Sequence, residues 1–455
     1  MSARLAAKAP SRHARRNGGP AKRAPGVAPR LAASNALHAV LAERRAVESV
    51  LDDPAGPFAA LDPRERALAR AILGTALRRS GQIADALARF LEKPLPRKSG
   101  RLAAILAVAA AQILFMDVAD HAAVSIAVEI AGEDQDARHF KGLANAVLRR
   151  LAQARDDILA AQDAPSLNTP AWLLTGWTKA YGAATARAIA AAHLQEPALD
   201  LTVRGEAEDW ARRLGGTLLP TGSVRLATRP AVESLAGFDE GAWWVQDAAA
   251  ALPARLFGDV AGRSIADLCA APGGKTLQLA AAGAHVTAID ISAARLERLA
   301  ANLARTGLSA ELVTADLLSY QADRLFDAVL LDAPCSATGT IRRHPDVALL
   351  KRKEDIAALA KLQRALLARA ATLLAPGGIL VYSTCSLESE EGEEQAAFAA
   401  ASLPLLRQAI APDEFPGLEA ICRDGVLRSL PSDWSAEDSR LGGLDGFFAA
   451  RFVRI

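Results

Sequence analysis

The apolar run Ser264–Leu268 is of strand length. It breaks directly into Cys269-Ala-Ala-Pro-Gly-Gly-Lys-Thr276 and then into a helix-like stretch. A strand that ends in a turn of small residues and continues as a helix opens a βα unit. The pattern recurs downstream. His285–Asp290 and residues 310–314, 328–332 and 378–383 read as further strands, and residues 293–304 and 356–374 read as helices between them. Units of this length join parallel strands by right-handed crossovers. Residues 241–455 are therefore expected to form an α/β domain with a parallel, doubly wound sheet, closed by a final edge strand over 446–454.

The turn itself limits what can bind. Small residues let a ligand approach the backbone, and the amino end of the following helix offers free N–H groups. A P-loop needs G-x-x-x-x-G-K-[ST]. Gly274, Lys275 and Thr276 match, but Cys269 stands where the first glycine belongs, and Pro272 falls inside the would-be phosphate cradle. The dinucleotide pattern G-x-G-x-x-G is absent. The third reading is an S-adenosyl-L-methionine site. The turn Cys269, Ala270, Ala271, Pro272, Gly273, Gly274, Lys275 would lie against the methionine portion. Asp290, ending the second strand, sits where a ribose-binding acid is expected in such sheets. Asp316, just past the third strand, is placed to accept from the adenine amino group. Two such carboxylates without a diphosphate clamp favour adenosylmethionine. A lysine in the first turn of a helix is opposed by the dipole, so Lys275 is expected to be held by a ligand or a carboxylate.

Upstream the pattern is different. Residues 31–155 read as helices throughout, including one that starts at Asp62-Pro63 with Glu65 in its first turn. Residues 156–240 are punctuated by Pro165, Pro170, Pro197 and Pro220 and read as a small α/β linker domain. Residues 1–30 hold eight Lys/Arg and no acid, with prolines and glycines that break a helix. They are expected to be a disordered basic tail: a solvated tail, or an arm touching RNA, rather than a transit peptide. Outside this tail 45 basic residues face 51 acidic ones, so any nucleic-acid affinity must come from local patches. The longest apolar stretch, 102–116, is below the roughly 18 residues of a membrane span. Four cysteines without a C-x-x-C pair suit a reducing cytoplasm and no metal site.

Two of those cysteines end expected strands, in Asp332-Ala-Pro-Cys335-Ser and in Ser383-Thr-Cys385-Ser. Strand carboxyl ends line the ligand crevice of an open α/β sheet. One thiol there suggests a nucleophile; two suggest a covalent adduct that is both made and undone. Spacing does not choose between them. Cys422, outside any motif, reads as a buried filler, and so does the side chain of Cys269.

Together, Cys269-Ala-Ala-Pro-Gly-Gly-Lys275, Asp332-Ala-Pro-Cys-Ser336 and Ser383-Thr-Cys-Ser386 resemble the RNA 5-methylcytosine methyltransferases of the RsmB/Sun group. Arg342-Arg-His-Pro-Asp346 resembles the bacterial branch acting on small-subunit ribosomal RNA. The front block, through Leu61-Asp-Pro-Arg-Glu-Arg66, Ile113-Leu-Phe-Met-Asp117 and Asn145-Ala-Val-Leu-Arg149, resembles the NusB-type RNA-binding domain. Gln246-Asp-Ala-Ala-Ala250 departs from the family, which often has a serine in that segment. The resemblance implies a Rossmann-like class I methyltransferase domain behind an all-α NusB-like domain. It also implies adenosylmethionine as cofactor and unassembled ribosomal RNA as partner, with no membrane and no metal, in a cytoplasmic monomer.

The resemblance further implies site roles. Cys385 is the nucleophile, Cys335 assists product release, and Asp332 contacts N3 and the amino group of cytosine and borders the cofactor. DNA cytosine methyltransferases place their nucleophile after a proline, which would favour Cys335 instead. Residues 342–353, with Arg342, Arg343, Lys351 and Arg352, are expected to grip RNA phosphates beside the crevice. Other readings are a transfer-RNA cytosine methyltransferase, a non-catalytic assembly factor on a degenerate methyltransferase fold, and a P-loop NTPase.

Overall fold

The computed structural model describes residues 25–455. The basic tail expected over 1–30 lies outside the described residues up to 24. Its last residues do not belong to a tail: the first helix is Val27–Leu41, and Arg30 is buried with its Nε donating to Gln112 Oε1 at 2.6 Å. Pro29 does not prevent this helix, because a first-turn N–H has no intrahelical acceptor to lose.

The front of the chain is a helical bundle. Helices Val27–Leu41, Pro63–Arg78, Leu102–Phe115, Asp120–Glu133 and Lys141–Gln153 share one core that includes Leu37, Ile72, Leu106 and Leu148. The expected start at Asp62 is as read: Pro63 takes the first helical position, and the Asp62 carboxylate accepts from Glu65 N at 2.8 Å.

A small antiparallel sheet follows. Its strands are β1 (Leu199–Val203), β2 (Thr217–Leu218), β3 (Val224–Leu226) and β4 (Trp243–Val245), in the order β2-β3-β1-β4. Trp210, from helix Ala207–Leu214, and Trp243 fill its core. On its other side Arg225 reaches back to Asp200 through two bonds of 2.7 Å and forward to Gly443 O at 2.7 Å, tying this unit to the last domain.

The main sheet holds β5 (Ser264–Leu268), β6 (His285–Asp290), β7 (Glu311–Thr314), β8 (Phe326–Asp332), β9 (Leu374–Thr384), β10 (Leu405–Gln408), β11 (Cys422–Arg423), β12 (Val426–Ser429) and β13 (Phe447–Arg454). Its order is β11-β12-β13-β9-β8-β5-β6-β7, with β10 also on β13. The five strands from β7 to β9 are parallel as expected.

Two expectations are corrected here. The sheet is mixed, because β13 runs antiparallel to β9. And β13 is no edge: it lies between β9 and β12, with Phe448 and Phe452 fully buried. A strand buried on both faces needs a near-continuous apolar run, and Phe447-Phe-Ala-Ala-Arg-Phe-Val453 supplies one. The chain order reverses at β5, flanked by β6 and β8, so the crevice opens above these carboxyl ends.

Candidate active site

The loop after β5 is shaped by backbone needs. Cys269 has φ 60 and Gly273 φ 106. A Cβ on Gly273 would lie 2.2 Å from Leu299 Cδ1, so only glycine fits. The helix Gly274–Ala281 then starts with no side-chain cap, which leaves its first N–H groups to the crevice. The Cys269 thiol faces the core, where burial pushes it up to about 12. What the loop turns toward the crevice is its backbone.

Carboxylates surround this loop. Asp290 is buried at the end of β6, where Oδ2 accepts from Ala271 N at 3.1 Å and Oδ1 from Ser292 N at 2.9 Å. It is not the cap of the next helix: Ser292 caps Ala293–Thr306, accepting from Arg295 N. Asp267 is wholly buried, and burial pushes it up to about 7. Its Oδ2 accepts from Thr276 Oγ1 at 2.5 Å, while Oδ1 has no partner. Asp332 ends β8, with Oδ2 bound to Lys275 Nζ at 2.8 Å and Oδ1 to Ser383 Oγ at 2.8 Å. Asp316 is exposed past β7 and closes a turn onto Leu318 N.

The lysine that a P-loop would aim at phosphates is thus spent on Asp332. With its one lysine paired to Asp332 and with Asp290 beside it, the loop itself offers a diphosphate no free cation. Adenosylmethionine, with a sulfonium and an ammonium, suits this cradle: Gly273 and Gly274 give access, Asp290 has lone pairs left for hydroxyls, and Asp267 Oδ1 lacks a donor.

Next to this cradle the two thiols meet. Cys335 Sγ and Cys385 Sγ lie 3.5 Å apart, both half-buried. The backbone fixes them: Gly339 N donates to Cys385 O at 3.0 Å, and Ala333 N donates to Ser383 O at 2.9 Å. The Cys335 thiol is pushed well up, first by its bond to Cys385, then by burial and by the Cys385 and Glu391 charges.

Glu391 was not singled out in the sequence. It is fully buried and binds the residue after each cysteine: Ser336 N at 2.9 Å and Ser386 Oγ at 2.6 Å, with the Ser336 hydroxyl also bound. Gln363 Nε2 joins at 3.1 Å and also donates to Pro334 O at 2.9 Å. The only local signal was the acidic run 388–394 behind Ser383-Thr-Cys-Ser386.

The expected phosphate grip is corrected at Arg342. It is 2% exposed and bound to Asp247 and Asp445, the latter at 2.9 Å. A guanidinium so enclosed by two carboxylates cannot reach RNA. Arg343 is also committed to Asp445, with Nε at 2.6 Å, and its charge is held up by Asp445, Asp247 and the Cys385 sulfur. Lys351 is half-buried and Arg352 exposed. Arg352 N donates to Asp355 Oδ2 at 2.8 Å at the start of helix Lys353–Leu373. Among the described residues no His, Cys, Asp or Glu group is placed to hold a metal, and no helix is long and apolar enough to cross a membrane.

Comparison with known proteins agrees in two places along the chain. A family profile described as 16S rRNA methyltransferase RsmB/F matches residues 258–452, and the NusB family matches residues 27–153. "Ribosomal RNA small subunit methyltransferase B" of Sodalis glossinidius is 36% identical over 441 residues, covering 90% of this chain and 96% of that protein. The protein of the same description from Pseudomonas putida is 35% identical over 446 residues, covering 94% and 98%. Among solved structures, a methyltransferase homolog protein from Pyrococcus horikoshii superposes with a TM-score of 0.51 at 27% identity, covering 62% of this chain and 94% of that one.

Proposed function

This chain belongs to the 16S rRNA methyltransferase RsmB/F family, and on that premise we propose that it methylates C5 of a cytosine in small-subunit ribosomal RNA through a covalent adduct on Cys385. Its cofactor is S-adenosyl-L-methionine; the loop 269–275 would hold it, with Asp290 for the ribose hydroxyls and Asp316 for the adenine. Bound there, the cofactor supplies an electrophilic methyl group.

The observation that carries the finer reading is the pair of thiols 3.5 Å apart beside Asp332. Cytosine C5 is a poor nucleophile. The Cys385 thiolate adds to C6, forming a C–S bond and pushing the ring electrons toward N3, where a proton neutralises them. Asp332, which accepts from Lys275 Nζ at 2.8 Å, faces N3 and the amino group. C5, now enamine-like, would take the methyl group as the sulfonium S–CH3 bond breaks; N3 gives back its proton, and C5 then loses its own proton to water. The returning electron pair restores C5=C6 and breaks the C6–S bond. Cys335 donates its S–H to the departing Cys385 sulfur, which eases that cleavage. The base must leave any stack to reach this depth. Lys351 and Arg352 contact backbone phosphates at the crevice mouth.

The test is a pair of variants. Cys385→Ala abolishes methyl transfer, and Cys335→Ala accumulates a denaturation-resistant protein–RNA adduct on gels. An adduct that forms with Cys385→Ala and never with Cys335→Ala reverses the two roles. Bisulfite sequencing of ribosomal RNA from a deletion strain identifies the base; an unchanged cytosine methylation pattern rejects the substrate.

A further inference from the structure

Glu391 joins two loops that the reaction needs in register. Ser336 and Ser386 follow Cys335 and Cys385 directly, and both bind its one carboxyl group. Gln363 adds a third tether, which also holds Pro334, the residue before Cys335. The Glu391 carbonyl accepts from Tyr382 Oη at 2.7 Å, so its own backbone is fixed to β9, the strand that leads into Cys385. Ser336 N, Ser336 Oγ, Ser386 Oγ and Gln363 Nε2 all donate to its two oxygens, which is the pattern of an acceptor-only carboxylate.

The charges around the two sulfurs are unequal. The anion of Glu391 acts on Cys335. The guanidinium of Arg343, anchored by Asp445, acts on Cys385. Asp445 directly precedes Gly446, whose N donates to Gly339 O at 2.9 Å, and Gly339 N in turn binds Cys385 O.

We propose that Glu391 is a positioning residue for both thiols: its carboxylate ties together the two loops that carry them, keeps the sulfurs in contact and sets its negative charge against Cys335, leaving Cys385 as the attacking thiol. Spacing in the sequence left open which thiol attacks, and this arrangement supplies a physical reason for the choice. The inference rests on the cysteine chemistry proposed above, but it is read on the thiols themselves, without RNA.

The experiment is iodoacetamide labelling of the full-length protein across pH 6–9, resolved by peptide mass spectrometry. The wild type is expected to label at Cys385 and spare Cys335. Glu391→Gln keeps the shape and removes the charge. It is expected to raise labelling of Cys335 relative to Cys385 about tenfold, the effect of one pKa unit. In the same variant kcat for methyl transfer falls by about tenfold or more, with KM for adenosylmethionine unchanged. Glu391→Asp, which retains the charge, restores the labelling ratio. A folded Glu391→Gln protein with the wild-type ratio and wild-type kcat overturns the proposal.

Should Glu391→Gln not fold, the double variant Ser336→Ala/Ser386→Ala tests the tether alone. Cys335 then stays protected while kcat falls; unchanged kcat overturns the positioning role. A wild type that labels selectively at Cys385 yet methylates no cytosine leaves this inference standing and removes the substrate assignment instead.

Discussion

Single atoms decide much of the cofactor loop. Gly273 sits at φ 106 with Leu299 Cδ1 2.2 Å from where a Cβ would be, so any side chain there displaces the loop. Asp290 ties the same loop down through Ala271 N. Asp290→Ala is expected to weaken adenosylmethionine binding by about tenfold, near 1.4 kcal/mol, and RNA binding much less. Calorimetry with each ligand separates the two, and equal losses reject the ribose role. The loop was legible because its constraint is local: small residues, one lysine and a following helix all lie within ten positions. Glu391 was not legible. Its partners Ser336 and Gln363 lie 55 and 28 positions away, and an acidic run looks the same in sequence whether solvated or buried.

Among the elements, strands were read best where apolar runs have sharp polar borders. Ser264–Leu268 and His285–Asp290 fold over the expected residues. The last strand was found but misplaced, because an apolar run tells its burial and not its neighbours. The linker helices Ala171–Tyr181 and Ala183–Ala192 show a similar dependence on context. Trp177, from the first, meets His193, just after the second, edge to face at 5.4 Å. Burial, with the charges of Arg342 and Arg78 adding to it, lowers the His193 imidazole from 6.5 to about 3. A base held neutral in the fold stabilises above its unfolded value and loses that stability as pH falls. Melting temperature is therefore expected to drop between pH 6.5 and 3, and to drop less steeply in His193→Phe. Parallel pH curves for the two proteins reject the assignment.

Across the whole molecule, the front of the segment expected to hold RNA, from Arg342 to Asp346, holds the parts together. Arg342 joins Asp247, between the small sheet and β5, to Asp445, before β13. Its carbonyl accepts from Arg78 Nη2 of the front bundle at 3.0 Å, and Asp346 Oδ2 accepts from Val47 N at 3.0 Å. Removing the cation leaves two buried carboxylates under-compensated. Arg342→Met is expected to cost about 3–5 kcal/mol in urea unfolding, with an unchanged salt dependence of RNA binding for protein that remains folded. A fall in the salt slope by about one would return Arg342 to the phosphate contacts.

The alternation of strands and helices, the glycine turn, the capped helix at Asp62 and the two thiols at strand ends are all readable from the chain before it folds. Each of these follows from residues adjacent along the chain, whose sterics, periodicity and hydrogen bonding act over a few positions. Packing in three dimensions put β13 inside a mixed sheet, buried Arg342 as a latch, and brought Cys335 and Cys385 into contact. It also placed Glu391 between them. Burial and charge pairing depend on partners about 30 to 300 residues apart, and a linear pattern carries no record of which distant groups will meet.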